Sequence, residues 1–108
     1  MYDVVVIGGG HNGLTCACYL AKAGLDVAVV ERREVLGGAA STEQLFPGYW
    51  LDTGAVAHVL IRRSPVPTDL KLEQFGLEYL EMDPWGFAPF PDGRHLFFYR
   101  DLDHTCAG

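Results

Sequence analysis

Tyr2-Asp3-Val4-Val5-Val6-Ile7-Gly8-Gly9-Gly10-His11-Asn12-Gly13-Leu14 is the stretch that decides the fold. Residues 2–7 are rich in Val and Ile, as strands buried on both faces of a parallel sheet are. The glycine-rich turn follows at once. From Leu14 the spacing becomes helical over residues 14–23, with Leu14, Ala17, Cys18 and Ala21 on one face of mainly small side chains. Small side chains let a helix lie close to a sheet. Lys22 suits the negative end of that helix, and Gly24 suits the left-handed position just after it. Residues 25–31 (LDVAVVE) read as a second buried strand that ends in an acid. Strand, helix and strand within about 30 residues make a βαβ unit, whose crossover is expected to be right-handed. The fold class is therefore α/β, a Rossmann-type dinucleotide-binding unit.

The turn has chemistry built into its spacing. Gly8-x-Gly10-x-x-Gly13 stands after a strand and opens a helix, the context that this otherwise weak motif needs. Gly8 permits the tight turn, Gly10 leaves room for a pyrophosphate, and Gly13 lets helix and strand pack closely. The first helical amides, unpaired within the helix, are expected to face the phosphates, and the helix dipole adds attraction. His11 and Asn12 lie inside this loop. His11 either touches a phosphate or stays exposed as a local cap; exposure is the better reading, because a neutral imidazole brings a phosphate little charge. Glu31 ends the second strand, 18 residues past Gly13. A carboxylate there accepts hydrogen bonds from ribose hydroxyls and repels a 2′-phosphate, which disfavours NADP. A plain glycine turn with a surface acid would look the same at each position taken singly.

Past Glu31 the pattern changes. Arg32-Arg33 leads to Gly37-Gly38-Ala39-Ala40, Pro47-Gly48 marks a turn, and residues 49–51 read as extended. Residues 68–75 read as a short helix stopped by Gly76. Residues 77–82 read as a strand, and residues 85–90 and 95–100 as a hairpin turning at Asp92-Gly93. Asp101 looks like the cap of a further helix. The expected division is a cofactor-binding unit over residues 1–60 and the start of an inserted, partly antiparallel substrate region over residues 61–108. Two parallel strands and a hairpin are too little to bury both faces of a sheet, so the chain reads as the N-terminal piece of a larger protein.

The residues after Glu31 also carry a resemblance. Glu31-Arg32-Arg33-Glu34-Val35-Leu36-Gly37-Gly38 resembles the E-x-R-x-x-x-G-G signature of the flavoprotein superfamily that holds amine oxidases, protoporphyrinogen oxidase and carotenoid desaturases. Gly8-Gly9-Gly10 fits the same superfamily. The string from Asp3 through Ala40, with Asp52-Thr53-Gly54-Ala55-Val56-Ala57-His58, is most similar to the phytoene desaturase-type branch. The resemblance implies FAD as cofactor. It implies Arg33 near the adenosine half, Gly37 and Gly38 near the ribityl and pyrophosphate portion, and Gly54 and Ala55 near the flavin, where small residues leave room. Arg32 and Ala39 join them as candidate contacts. An ordinary turn accounts equally for Gly37-Gly38, a solvated charge for Arg33, and an Asp-initiated turn for Asp52. One departure stands out: many amine-oxidase relatives carry Arg after the Gly-Gly pair, where this chain has Ala39. The Ala form fits the desaturase-like branch better. The implied reaction is transfer of hydride from an apolar, polyene-like substrate to FAD, forming or rearranging a C=C bond. The residues alone leave open an NAD-dependent dehydrogenase or a non-enzymatic nucleotide-binding module.

Composition narrows the rest. The chain has 108 residues, 8 basic against 14 acidic, for a net charge of -6. No basic face argues for nucleic acid. No apolar run reaches the length of a membrane span, and the start lacks the basic region of a secretory signal. A cytoplasmic protein is expected; association with a membrane surface would suit an apolar substrate, though no residue run argues for it. Cys16, Cys18 and Cys106 are odd in number and read as reduced thiols. Cys16 and Cys18 point to different sides of a helix, and His104-x-Cys106 lacks further ligands, so no metal site is expected. His58 is a weak candidate near the flavin. The aromatic residues Trp85, Phe87, Phe90, Phe97, Phe98 and Tyr99 read first as sheet packing, and second as an apolar substrate route. No catalytic residue is argued.

Overall fold

A computed structural model describes residues 1–58 and 60–107. Val59 and Gly108, which fall in the two regions drawn from the sequence, lie outside the described residues. The chain forms two compact units, Met1–Phe75 and Gly76–Gly108.

The first unit opens with β1 (Val4–Ile7), α1 (His11–Lys22) and β2 (Val27–Val30). β1 and β2 pair in parallel, with Val4 opposite Val27 and Ile7 opposite Val30. The helix begins at His11, three positions earlier than its apolar spacing suggested, because Gly10 already serves as its N-cap in extended conformation. Its C-terminus closes as a Schellman motif: Gly24 takes φ +92°, its amide donates to Ala21, and the Leu25 amide donates to Leu20. These bonds satisfy carbonyls that the helix leaves unpaired.

β1 is not buried on both faces, as its composition suggested. Val4 and Val6 are half-buried, whereas Val5 is 54% and Ile7 88% exposed. The alternation follows from the pleat: successive side chains point to opposite faces, and α1 is the helix that packs on β1 and β2. Among the described residues the most buried are all small: Gly9, Ala17 and Ser41. They lie at the glycine turn, on the inner face of α1, and at the entry to the next strand.

A short 3-10 turn, Gly38–Ala40, leads to a hairpin of β3 (Thr42–Phe46) and β4 (Tyr49–Asp52). Pro47 and Gly48, the latter at φ +83°, make its turn. The first unit ends with a single helical turn, α2 (Val66–Asp69), and a 3-10 turn at Leu72–Phe75. The helix expected over 68–75 is thus split, where Lys71 takes φ 52°. Asp69 ties this segment to α1: the Tyr19 hydroxyl donates to its carboxylate at 2.8 Å and the Lys22 ammonium to its carbonyl.

In the second unit, β5 (Gly86–Pro89) and β6 (His95–Phe98) form the expected hairpin, followed by α3 (Leu102–Ala107). Asp101 caps α3 through the His104 amide at 2.9 Å. Residues 77–82 form no strand, because no neighbouring segment offers them a ladder. Phe87 and Phe97 pair across the hairpin at 4.8 Å between ring centroids, and Tyr99 stacks on His104 at 3.9 Å. Trp85 packs on Phe98.

Candidate functional site

Gly8 takes φ +104°, which turns the chain out of β1, and its amide still donates to the Val30 carbonyl of β2. A Cβ on Gly13 would lie 2.0 Å from the Gly8 carbonyl oxygen and 3.4 Å from Val6. No side chain fits there, so Gly13 is what brings the helix against the strand and turn. Gly10 is different. Its φ of -74° and ψ of 172° suit any residue, and an added Cβ would meet only the Gly38 Cα, at 3.9 Å. The protein itself leaves the space beside Gly10 open.

The second glycine pair lies against the first. The Gly37 amide donates to Gly9 at 2.8 Å, and the His11 amide donates to Gly37 at 3.2 Å. This makes a parallel bridge between Gly10 and Gly37. A Cβ on Gly38 would sit 3.0 Å from the Gly10 Cα. Of the first helical amides, the His11 N–H is taken by the Gly37 carbonyl. The amides of Asn12 and Gly13 have no hydrogen-bond partner among the described residues. The His11 side chain is exposed.

Glu31 faces the turn. One carboxylate oxygen accepts the Gly9 amide at 2.7 Å, the other the Arg33 amide at 2.9 Å. These two backbone donors, with the nearby Arg32 charge adding less, hold its carboxyl below the ordinary carboxylate range. The acid therefore shapes the loop as well as facing it. Carboxylate oxygens accept more than one hydrogen bond, so both keep acceptor capacity beyond these two amides.

Arg33 extends to Glu43 on β3, with a guanidinium nitrogen 2.6 Å from Oε1. The same Oε1 accepts the Ser41 hydroxyl at 2.9 Å and the Thr53 hydroxyl at 3.3 Å. Arg33, then Ser41, are the main causes that hold the Glu43 carboxyl below its usual range. Arg33 is thus an ion-paired side chain and not a free surface charge. Arg32 and Ala39 are exposed. Gly54 and Ala55 run beside the 3-10 turn: the Ala55 amide donates to Ala39 at 2.6 Å, and a Cβ on Gly54 would lie 2.6 Å from the Ala39 oxygen. Asp52 receives the Thr42 hydroxyl at 2.6 Å. His58 contacts the Ala55 carbonyl at 3.1 Å.

The structure therefore gathers the glycine turn, Glu31, Arg33, Gly37-Gly38 and the Gly54-Ala55 segment within the first unit. Ser41 and Glu43 carried no role in the sequence reading, and Thr53 entered it only within the Asp52-Thr53-Gly54-Ala55 segment. Ser41 and Glu43 stand two apart across the start of β3, and no apolar-polar alternation marks that strand in the sequence. Among the described residues no cluster of His, Cys, Asp or Glu could hold a metal, and no helix is long and apolar enough to cross a membrane.

This geometry defines a Rossmann-like dinucleotide-binding unit. The chain belongs to the NAD(P)-binding Rossmann-like domain family, which it matches over residues 6–69. The resemblance to the desaturase and amine oxidase superfamily is borne out by its relatives. Pyridine nucleotide-disulfide oxidoreductase domain-containing protein 2 of Mus musculus is 47% identical over 82% of this chain and 15% of that protein. One of the subunits of limonene dehydrogenase from Castellaniella defragrans is 43% identical over 95% of this chain and 19% of that protein. Carotenoid 3,4-desaturase of Haloarcula japonica is 52% identical over 48% of this chain and 10% of that protein. Among solved structures, wild-type putrescine oxidase bound to putrescine superposes with a TM-score of 0.62 and 33% identity. That match covers 93% of this chain and 22% of the oxidase. All four relatives are much longer proteins, and the chain spans less than a quarter of the length of each.

Proposed function

We propose that this chain forms the FAD-binding part of a flavin-dependent oxidoreductase of desaturase type. The observation that carries this reading is the open space at Gly10, with the unpartnered Asn12 and Gly13 amides in the helical turn it opens and Glu31 just past β2, bonded to the Gly9 amide. Two unpartnered amides at the start of a twelve-residue helix match the needs of a diphosphate. An ionised acid beside them matches the needs of ribose hydroxyls. Gly8, Gly9, Gly10, Asn12 and Gly13 would hold the diphosphate, with His11 at the rim; Glu31, Arg32 and Arg33 would hold the adenosine side. Gly37, Gly38, Ala39, Gly54 and Ala55 would lie along the rest of the cofactor. When bound, FAD supplies the hydride-accepting chemistry, and the protein supplies position and electrostatics.

The flavin enters this reading through the Gly37-Gly38 and Gly54-Ala55 segments and through flavin-containing relatives. A flavin-containing amine oxidase of Danio rerio is 45% identical over 95% of this chain. The substrate class is an apolar molecule of polyene type; one carbon would give a hydride to bound FAD while the neighbouring carbon loses a proton, which leaves a C=C bond. Ala39, in place of an arginine after the glycine pair, supports the desaturase side over the amine oxidase side.

The family's own description favours NAD(P) as a second reading. A visible absorbance spectrum of the purified protein separates the two. Oxidised flavin bands that stay with the protein through gel filtration support FAD. A colourless protein that retains NAD would overturn the flavin reading.

A further inference from the structure

We propose that Glu43 is a positioning residue for the dinucleotide site, holding the Arg33 guanidinium where the adenosine half of the cofactor is read. This rests on the FAD reading above. A guanidinium and two hydroxyls from three separate segments gather at one oxygen, Glu43 Oε1, the single Thr53 hydroxyl hydrogen being shared with the Ser41 carbonyl at 3.1 Å. They are the Arg33 guanidinium from the loop after β2 at 2.6 Å, the Ser41 hydroxyl at the entry to β3 at 2.9 Å, and the Thr53 hydroxyl after β4 at 3.3 Å. Ser41 is only 2% exposed. Its hydroxyl also lies 2.9 Å from Thr53 Oγ1, and its carbonyl accepts the Thr53 amide at 3.1 Å. The cluster is therefore anchored at its buried end and open at its arginine end, where Arg33 is 46% exposed.

That gradient separates a positioning role from a stabilising one. An ion pair this exposed adds little to folding. A guanidinium, however, has five donors in a rigid fork, and fixing one edge on Glu43 leaves other donors in a set direction. The Arg33 amide meanwhile donates to Glu31, so the backbone of Arg33 is registered on the ribose-facing acid while its side chain is registered on Glu43. Loss of the Glu43 charge frees that side chain to sample many rotamers, and binding must then order it again.

The test measures dissociation constants for FAD and for ADP, which lacks the flavin end, on the purified protein. The variants are Glu43→Gln, Arg33→Gln, the double variant, and the charge exchange Arg33→Glu with Glu43→Arg. Glu43→Gln keeps an oxygen for Ser41 and Thr53 and removes only the charge. Melting temperature of the cofactor-free protein is read in parallel. Each single variant is expected to weaken FAD and ADP by the same factor, about five- to tenfold, with melting unchanged. The double variant should be no weaker than either single variant, and the charge exchange should recover part of the loss. Unchanged affinity in Glu43→Gln overturns the proposal, as do additive losses in the double variant or a loss that tracks a fall in melting temperature. Failure of the parent protein to bind either FAD or ADP overturns the dinucleotide reading itself, and this inference with it.

Discussion

Gly13 shows how much one missing side chain decides. An alanine there places its methyl 2.0 Å from the Gly8 oxygen, so strand, turn or helix must shift. Alanine in a helix gains roughly 1 kcal/mol over glycine; forcing extra atoms into a packed site costs about 1–3 kcal/mol. Because the obstacle is backbone, Gly13→Ala is expected to lower stability, read as an earlier midpoint in urea unfolding. A later midpoint would mean that the turn yields more easily than its geometry implies. Glu31 is the second deciding residue. Glu31→Gln keeps the shape but has one acceptor oxygen in place of two, so either the Gly9 or the Arg33 amide loses its partner and meets an NH2 donor instead. Flavin content after purification should fall about tenfold; content equal to the parent's would remove Glu31 from the site. Both residues were legible in the sequence, because spacing alone put Gly13 on the turn and Glu31 at the end of a strand. Glu31's grip on Gly9 was not legible, since nothing in a linear motif says which atoms the carboxylate uses.

At the scale of elements, the βαβ unit was readable because its signals are local and agree. A Val- and Ile-rich run, a glycine turn, a small-faced helix and a Lys22-Gly24 ending all point the same way. Gly24 allows a clean test: a Cβ there meets nothing within 4 Å, yet φ is +92°. Gly24→Ala should therefore cost about 1 kcal/mol through the backbone alone, seen as a lower thermal midpoint. No change would show that the Schellman ending relaxes without penalty. β3 escaped the sequence reading for a physical reason. Its residues are mostly exposed on both faces, so no alternation of apolar and polar side chains marks it, and its register is set by the Pro47-Gly48 turn. Residues 77–82 failed in the opposite sense: the composition suits a strand, but a strand needs a partner, and composition does not supply one.

At the scale of the whole molecule, the two compact units carry different kinds of information. The first concentrates its buried residues where the dinucleotide site is proposed; the second presents half-exposed rings along a hairpin. The Glu31 carboxylate is held below its ordinary range by hydrogen bonds from the Arg33 and Gly9 amides that exist only in the folded chain. A depressed folded-state value stabilises the fold above the ordinary glutamate value, and that contribution is lost as pH falls through the lower one. The parent should lose stability on acidification through this window, measured as urea midpoint against pH. Glu31→Gln should show a shallower decline; an equally steep one would mean that other groups carry the acid sensitivity.

The claim on which the rest stands is that the space beside Gly10 belongs to a cofactor's diphosphate. Gly10→Val tests it most directly, because φ and ψ there suit a β-branched residue and the added Cβ meets only the Gly38 Cα, at 3.9 Å. The measurement is bound flavin per chain in parent and variant, with circular dichroism confirming that both are folded. A folded Gly10→Val protein almost free of flavin, beside a loaded parent, is the predicted result. A folded variant carrying as much flavin as the parent would contradict it.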